Sequence, residues 1–236
     1  MDSGRYQTNS AIWILCYHKV GSQAEEGRRL NISPQRLQSH IRYFKRRQHR
    51  FLRAVDLLEP WPEKAVCLTF DDAYQSTIEN GIPVLQSEKV TASLYAVANR
   101  VGATSLWDAD LARPLASWDQ LRQVQRAGFE IGNHTASHPK LANLSADQIK
   151  NEIHRAHQTL LENGIDPKTI CYPYGSVNDQ AEICAKKIGY GIGLGLEKRQ
   201  AAAFDDRLRL PRIAVAYSDA LPMLIYRLFV RPKLRR

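Results

Sequence analysis

Two histidines stand four residues apart in His134-Thr-Ala-Ser-His138. Side chains at that spacing can share one face of a helix or turn and converge on one metal ion. Imidazole suits Zn, Ni, Co or Fe. The spacing alone carries little specificity, because surface histidines are often only solvated. Two adjacent carboxylates close the segment Thr69-Phe70-Asp71-Asp72. They repel unless something holds them, and a helix N-terminus is one such holder. Taken together, the two clusters point to more specific chemistry. One carboxylate completes a two-histidine, one-carboxylate metal set with positions left open for water and substrate. The other is free to act as a base toward that water. Such a metal lowers the pKa of its water and polarises an acyl oxygen, which is the equipment for hydrolysis.

The elements that must position these residues alternate between apolar strands and amphipathic helices. Strands are expected over 12–17, 65–70, 92–97, 129–132, 170–172, 189–194 and 213–216. Helices are expected from Ser33-Pro34 onward, over 78–85, over 118–126, from Ser145 to about Leu161, and over 181–187. In the first helix Ser33 serves as cap and Pro34 enters the first turn. Leu37, Ile41 and Phe44 then form its apolar stripe, and the opposite face carries Arg36, Arg42, Lys45, Arg46 and Arg47, with Arg50 beyond it. A β-then-α rhythm predicts parallel strands with helices outside. The chemically capable residues Asp71, Asp72, His134, His138 and Tyr174 all follow strand ends. That is where a β/α barrel builds its active site. The expectation is an α/β fold, a single distorted (β/α)7 barrel over residues 1–220, with a basic amphipathic tail over 221–236.

The motifs TFDD, HTASHP and YPYG, in that order, resemble the polysaccharide deacetylase family, carbohydrate esterase family 4 with its NodB-homology fold. The resemblance runs from about Cys16 to Val215. It implies a distorted β/α barrel and hydrolysis of an acetamide on an amino sugar. It implies Asp71 as general base, and Asp72, His134 and His138 as ligands of a divalent metal, Zn first with Co or Ni as alternatives. It also implies that Pro173 and Tyr174 lie in the substrate groove, with the Tyr174 backbone N–H helping to hold the oxyanion.

Three departures from the family pattern follow. Ala73 stands where Gly usually follows the Asp pair, and a turn needing φ > 0 would strain it. Cys171 stands where the third motif usually begins with Arg. Arg212 could supply that charge from a later strand, or it could be an ordinary structural ion-pair residue. No Leu-x-x-His motif occurs near the C-terminus, where many members carry their general acid. A strand ending in Tyr17-His18 ahead of the Asp pair resembles the circularly rearranged branch that includes the poly-N-acetylglucosamine deacetylases. That match implies His18 as general acid; the alternative is a strand-capping histidine. His40, His49, His154 and His157 lie on expected helices and read as structural or solvated.

Hydrophobic content of 44% with 24% charged residues fits a folded globular chain and argues against disorder. The formal net charge of +9 favours anionic partners. No nucleic-acid motif accompanies the charge, so no nucleic acid is expected. The four cysteines, Cys16, Cys67, Cys171 and Cys184, show no metal-knuckle spacing, and the first residues do not read as a secretory signal. A cytoplasmic setting is expected, with an N-acetylated glycan or glycolipid as substrate, such as a lipid-linked or lipopolysaccharide precursor. Leu221, Leu224, Ile225, Leu228 and Phe229 precede Arg231, Lys233, Arg235 and Arg236. This pattern fits an interfacial helix on the inner face of an anionic membrane, or a final helix packed on the barrel. A metal amidohydrolase of a non-sugar amide and a non-catalytic glycan- or lipid-binding descendant are the rival functions.

Overall fold

The computed structural model describes residues 11–231. Seven strands form its centre: β1 Ala11–Tyr17, β2 Ala65–Phe70, β3 Ser93–Ala96, β4 Glu130–Asn133, β5 Thr169–Cys171, β6 Ile192–Leu194 and β7 Ile213–Ala214. Each of the first five pairs in parallel with the next, from Trp13↔Val66 around to Cys171↔Leu194. Closure comes from the last segment. Leu210 bridges Leu194 of β6, and three residues later β7 pairs in parallel with Leu15 and Cys16 of β1. The result is the distorted (β/α)7 barrel that the alternation of elements predicts. Two short strands decorate it: Arg50–Leu52 runs beside β2, and Ala201–Ala202 pairs antiparallel with the start of β1.

The helices cover the outside: α1 Pro34–Arg46, α2 Ile82–Ser87, α3 Trp118–Arg126, α4 Ala146–Glu162, α5 Asp179–Ile188 and α6 Leu221–Ile225. Their starts are chemically specified. The Ser33 side chain accepts from the Arg36 N–H, and Pro34 occupies the first turn. Ser117 with Gln120, and Ser145 with Gln148, form reciprocal capping boxes. The α1 stripe of Leu37, Ile41 and Phe44 is fully buried. Each such side chain stabilises by roughly 1.5–3 kcal/mol, an upper bound because denatured chains are partly compact. The basic face of α1 is less free than its composition suggests. Arg42 and Lys45 both pair with Glu88, and Arg47 lies over the Tyr43 ring.

Two expected elements differ. The helix expected over 78–85 begins as a π-helical turn, Thr77–Gly81, before α2. The strand expected from Gly189 starts only at Ile192, because Gly189 adopts φ 108° and caps α5. Past residue 220 the chain packs against the barrel. Leu224 and Leu228 are buried in the main core, and Phe229 meets Trp13 edge-on at 5.3 Å. The apolar stripe that could have entered a membrane is therefore packed on the barrel. Lys233, Arg235 and Arg236 lie outside the described residues. No helix among the described residues is long and apolar enough to cross a membrane.

Candidate active site

Apart from Arg212, which immediately precedes β7, the singled-out residues follow C-terminal ends of strands, so the barrel gathers them at one mouth. A pocket of about 210 Å³ there is lined by His18, Asp71, Asp72, His134, His138 and Tyr174, among others. The backbone is unusual at these positions. Asp72, Ala73, Thr135, His138 and Tyr174 all have positive φ, between 51° and 67°. Left-handed conformation costs an L-residue roughly 1–2 kcal/mol, and such outliers cluster at functional sites. Ala73 does occupy the turn geometry that favours glycine.

His134-to-His138 is a loop rather than a helical face. His134 is anchored by its N–H to the Ala96 carbonyl, and Thr135 by its N–H to Asn133 Oδ1 at 2.7 Å. Glu152 of α4 then clamps the loop: its carboxylate accepts from the N–H groups of Ala136 and Ser137, at 3.1 and 2.9 Å, and from the Ser137 hydroxyl at 2.7 Å. The clamp turns both imidazoles toward Asp72. One oxygen of Asp72 lies 3.4 Å from His134 Nε2 and 3.1 Å from His138 Nε2.

These distances permit hydrogen bonds, yet that oxygen makes none with acceptable angles. His134 also donates its Nδ1–H to the Cys171 carbonyl at 2.7 Å. That bond leaves Nε2 with its lone pair facing a carboxylate. With a neutral imidazole, two acceptors so placed in a buried site are satisfied by a cation between them. All three ligand atoms lie within 4.8 Å of one another. The donor set, its convergence and the second hydrogen bond on His134 fit a divalent metal.

Asp71 is held differently. Arg212 is 1% exposed and spends all five N–H donors inside the protein. Nη1 reaches Asp71 Oδ1 at 2.7 Å and Thr69 Oγ1 at 2.9 Å. Nη2 reaches Asp71 Oδ2 at 2.8 Å and Cys171 Sγ at 2.9 Å, and Nε reaches the Gly195 carbonyl at 2.9 Å. Burial acts to raise the Asp71 pKa, but the Arg212 charge and hydrogen bonds hold it well below the usual carboxylate range. Arg212 thus supplies the positive charge that Asp71 faces. It has no donor left for substrate, so it is a positioning residue rather than a substrate-binding one.

His18 faces the same pocket, with Nδ1 4.0 Å from Cys16 Sγ. Burial lowers its pKa, opposed by the carboxylates of Asp71 and Asp72. In the third motif, Tyr174 stands half exposed at the rim and packs against His138, with ring centroids 4.7 Å apart. Pro173 is buried beneath that turn, and the wall is formed by Tyr174 and Gly175 instead. Gly175 has φ +67°, and a Cβ there would stand 2.9 Å from the Leu196 backbone nitrogen. The remaining histidines are structural or exposed. His40 joins Tyr17 to the Asp219 carbonyl, His157 bonds Tyr190, His49 packs on Phe44, and His154 is exposed.

Trp107 is the residue that sequence reasoning missed. It stacks on His138 with centroids 4.1 Å apart and planes 26° off parallel. Its loop is pinned by Asp108, which accepts from the hydroxyls of Ser105 and Tyr74. Nothing in its local sequence announces this, because the contact is made between loops of two different strands.

A model of the family described as polysaccharide deacetylase matches residues 59–193. The chain belongs to the polysaccharide deacetylase family. Members of that family use a divalent metal, in keeping with the donor set described above. Among its relatives are the poly-beta-1,6-N-acetyl-D-glucosamine N-deacetylases of Staphylococcus aureus and Staphylococcus epidermidis. Each is 26% identical, with the match covering 94% of this chain and 84% of the relative. The Streptococcus pyogenes deacetylase PplD, solved in complex with acetate, superposes with a TM-score of 0.79 at 21% identity, over 94% of this chain and 99% of that one. IcaB from Ammonifex degensii gives 0.77 at 23%, over 91% and 95%. At those identities the structural likeness speaks for the shared barrel.

Proposed function

We propose that this protein is a metal-dependent N-deacetylase of an amino sugar, with Asp71 as general base, His18 as general acid, and Asp72, His134 and His138 as metal ligands. The observation that carries the reading is the separation of roles between adjacent carboxylates. Asp72 turns toward two imidazoles, while Asp71 is locked to Arg212. When bound, the metal would acidify a water and polarise the acetyl carbonyl. Asp71, kept ionised by Arg212, would accept the proton of the attacking water. The Tyr174 backbone N–H would help hold the oxyanion. His18 would protonate the departing amine. Trp107 and Tyr174 would wall the pocket on the His138 side and exclude water from it.

The substrate in this reading is an N-acetylated glycan, in line with what the staphylococcal relatives are named for. Within that class we favour a lipid-linked or lipopolysaccharide precursor handled at the cytoplasmic face of a membrane. The net charge of +9 suits an anionic carrier and an anionic leaflet. On the outer face of α6 and the turn after it, Met223, Tyr226 and Val230 are exposed beside Arg227 and Arg231, a surface suited to peripheral membrane contact. Zinc is the expected metal.

The test is acetate release from lipid-linked N-acetylhexosamine glycans and from free poly-β-1,6-N-acetylglucosamine oligomers, with and without added Zn or Co, beside D72A. Metal-dependent release lost in D72A is the expected result. Release that persists in D72A, or none from any glycan by the metal-loaded protein, would end the reading.

A further inference from the structure

A second and larger cavity, of about 580 Å³, lies against the segments that flank the catalytic pocket. It is lined by Lys198, Ser218, Asp219, Met223, Arg227 and Arg231. The two linings have no residue in common but follow the same two chain segments. Leu196 and Ala214 line the catalytic pocket, while Lys198 and Ala216, each two residues further on, line the other. Two residues of extended chain span at most about 7 Å, so the two linings are neighbours along both segments. The backbone ties them further, through the Lys198 N–H to the Arg212 carbonyl at 3.0 Å.

The charges in this cavity do not cancel. Asp219, its only acid, is buried and committed: it pairs with Arg227 and accepts from the Ala216 N–H at 2.8 Å. Arg227 is in turn braced on the Ala214 carbonyl at 2.8 Å. That leaves Lys198 and Arg231, both exposed and without an ion-pair partner among the described residues, together with the Ser218 hydroxyl. Glu197, the nearest acid in sequence to Lys198, pairs with Arg199. Arg28 and Arg36 lie over the neighbouring Tyr217 ring at 5.3 and 4.7 Å and add to the positive potential.

We propose that this cavity, through Lys198, Arg231 and Ser218, binds a phosphate or diphosphate group carried by the substrate, next to the amino sugar held in the catalytic pocket. Two unpaired cations and a hydroxyl match a multiply charged oxyanion better than a neutral glycan, which would leave both cations unused. The inference rests on the deacetylase reading for the identity of the neighbouring sugar. The anion site itself is measurable without turnover.

The probe is inorganic pyrophosphate, titrated calorimetrically into the full chain and into K198A/R231A, at low and moderate salt. Both residues are exposed and outside the catalytic machinery, so the variant should fold and keep its metal. Pyrophosphate should bind the wild type and bind the double variant about tenfold or more weakly. In turnover, the double variant should lose a similar factor in kcat/KM for a diphosphate-linked N-acetylhexosamine, through KM, and none for a neutral N-acetylglucosamine oligomer. Pyrophosphate binding that is absent from the wild type, or equal in both proteins, would overturn the proposal. So would equal losses on the charged and neutral substrates. A protein that binds pyrophosphate through these residues but releases no acetate would leave the anion site standing and sink the deacetylase reading alone.

Discussion

Replacing Arg212 by Met should be among the most damaging single changes in this barrel, and the damage should depend on Asp71. Arg212 and Asp71 are both buried, and the guanidinium meets both carboxylate oxygens at 2.7 and 2.8 Å. Removing one partner of a buried pair leaves the other charge uncompensated, at a cost of about 3–5 kcal/mol. Met keeps most of the side-chain volume, so cavity formation adds little. Lost hydrogen bonds to Thr69, Cys171 and Gly195 belong to Arg212 alone and should survive in any background. D71N should also destabilise, because it leaves Arg212 charged and unpaired. In R212M/D71N neither charge remains, so the double variant should be less destabilised than the sum of the two single changes by roughly 2–3 kcal/mol. Urea denaturation of all four proteins at pH 7, with metal held constant, measures this coupling. Additivity to within about 0.5 kcal/mol would refute the claim that the pair acts as one buried unit. R212K should recover the charge but not the two-pronged geometry, and should keep more stability than activity.

Other consequences follow from single contacts. Glu152 holds the histidine loop by three hydrogen bonds, so E152A should weaken metal affinity by about 10–100-fold; competition with a metal-sensitive dye reads this, and unchanged affinity would remove the clamp from the account. Ala73 is buried at φ 51°, so A73G relieves left-handed strain while losing a methyl and gaining chain entropy. The change should be neutral within about 1 kcal/mol, whereas A96G on β3 should cost about 1.5 kcal/mol; equal losses in thermal or urea melts would contradict the strain argument. His40 is 1% exposed, and burial lowers its pKa to about 4. The unfolded chain, with a histidine pKa near 6.5, therefore binds the extra proton first. The stability tied to neutral His40 is complete above about pH 6.5 and is lost as pH falls toward about 4, amounting to about 2–3 kcal/mol at pH 4.5. H40Q should lack that part of the pH slope between pH 7.5 and 4.5, and an identical slope in both proteins would show that His40 does not carry it.

The parts of this molecule that were legible in the sequence are those whose physics is local. Ser33-Pro34, Ser117 and Ser145 announce helix starts, because capping needs only residues three apart. The apolar runs at 12–17 and 65–70 announce buried parallel strands. The grouping of Asp72, His134 and His138 was legible because a metal set demands particular residue types, whereas for Arg212 the sequence left two readings open, a charge supplied to Asp71 or an ordinary ion pair. What stayed hidden depends on distant packing. Glu152 reads as one more exposed helix residue until α4 is laid against the histidine loop. Trp107 reads as a loop tryptophan until Asp108 pins it over His138. The 221–230 stripe is equally suited to lipid and to protein, and only its docking on Trp13 decides between them.

The division of labour between Asp71 and Asp72 is the central claim, and one comparison tests it most directly: bound metal and acetate release, measured together for wild type and D71N on an N-acetylglucosamine oligomer. One metal ion per chain is expected in both proteins, with release lowered about a hundredfold or more in D71N. Release from D71N close to the wild-type rate, or loss of its metal, would contradict it.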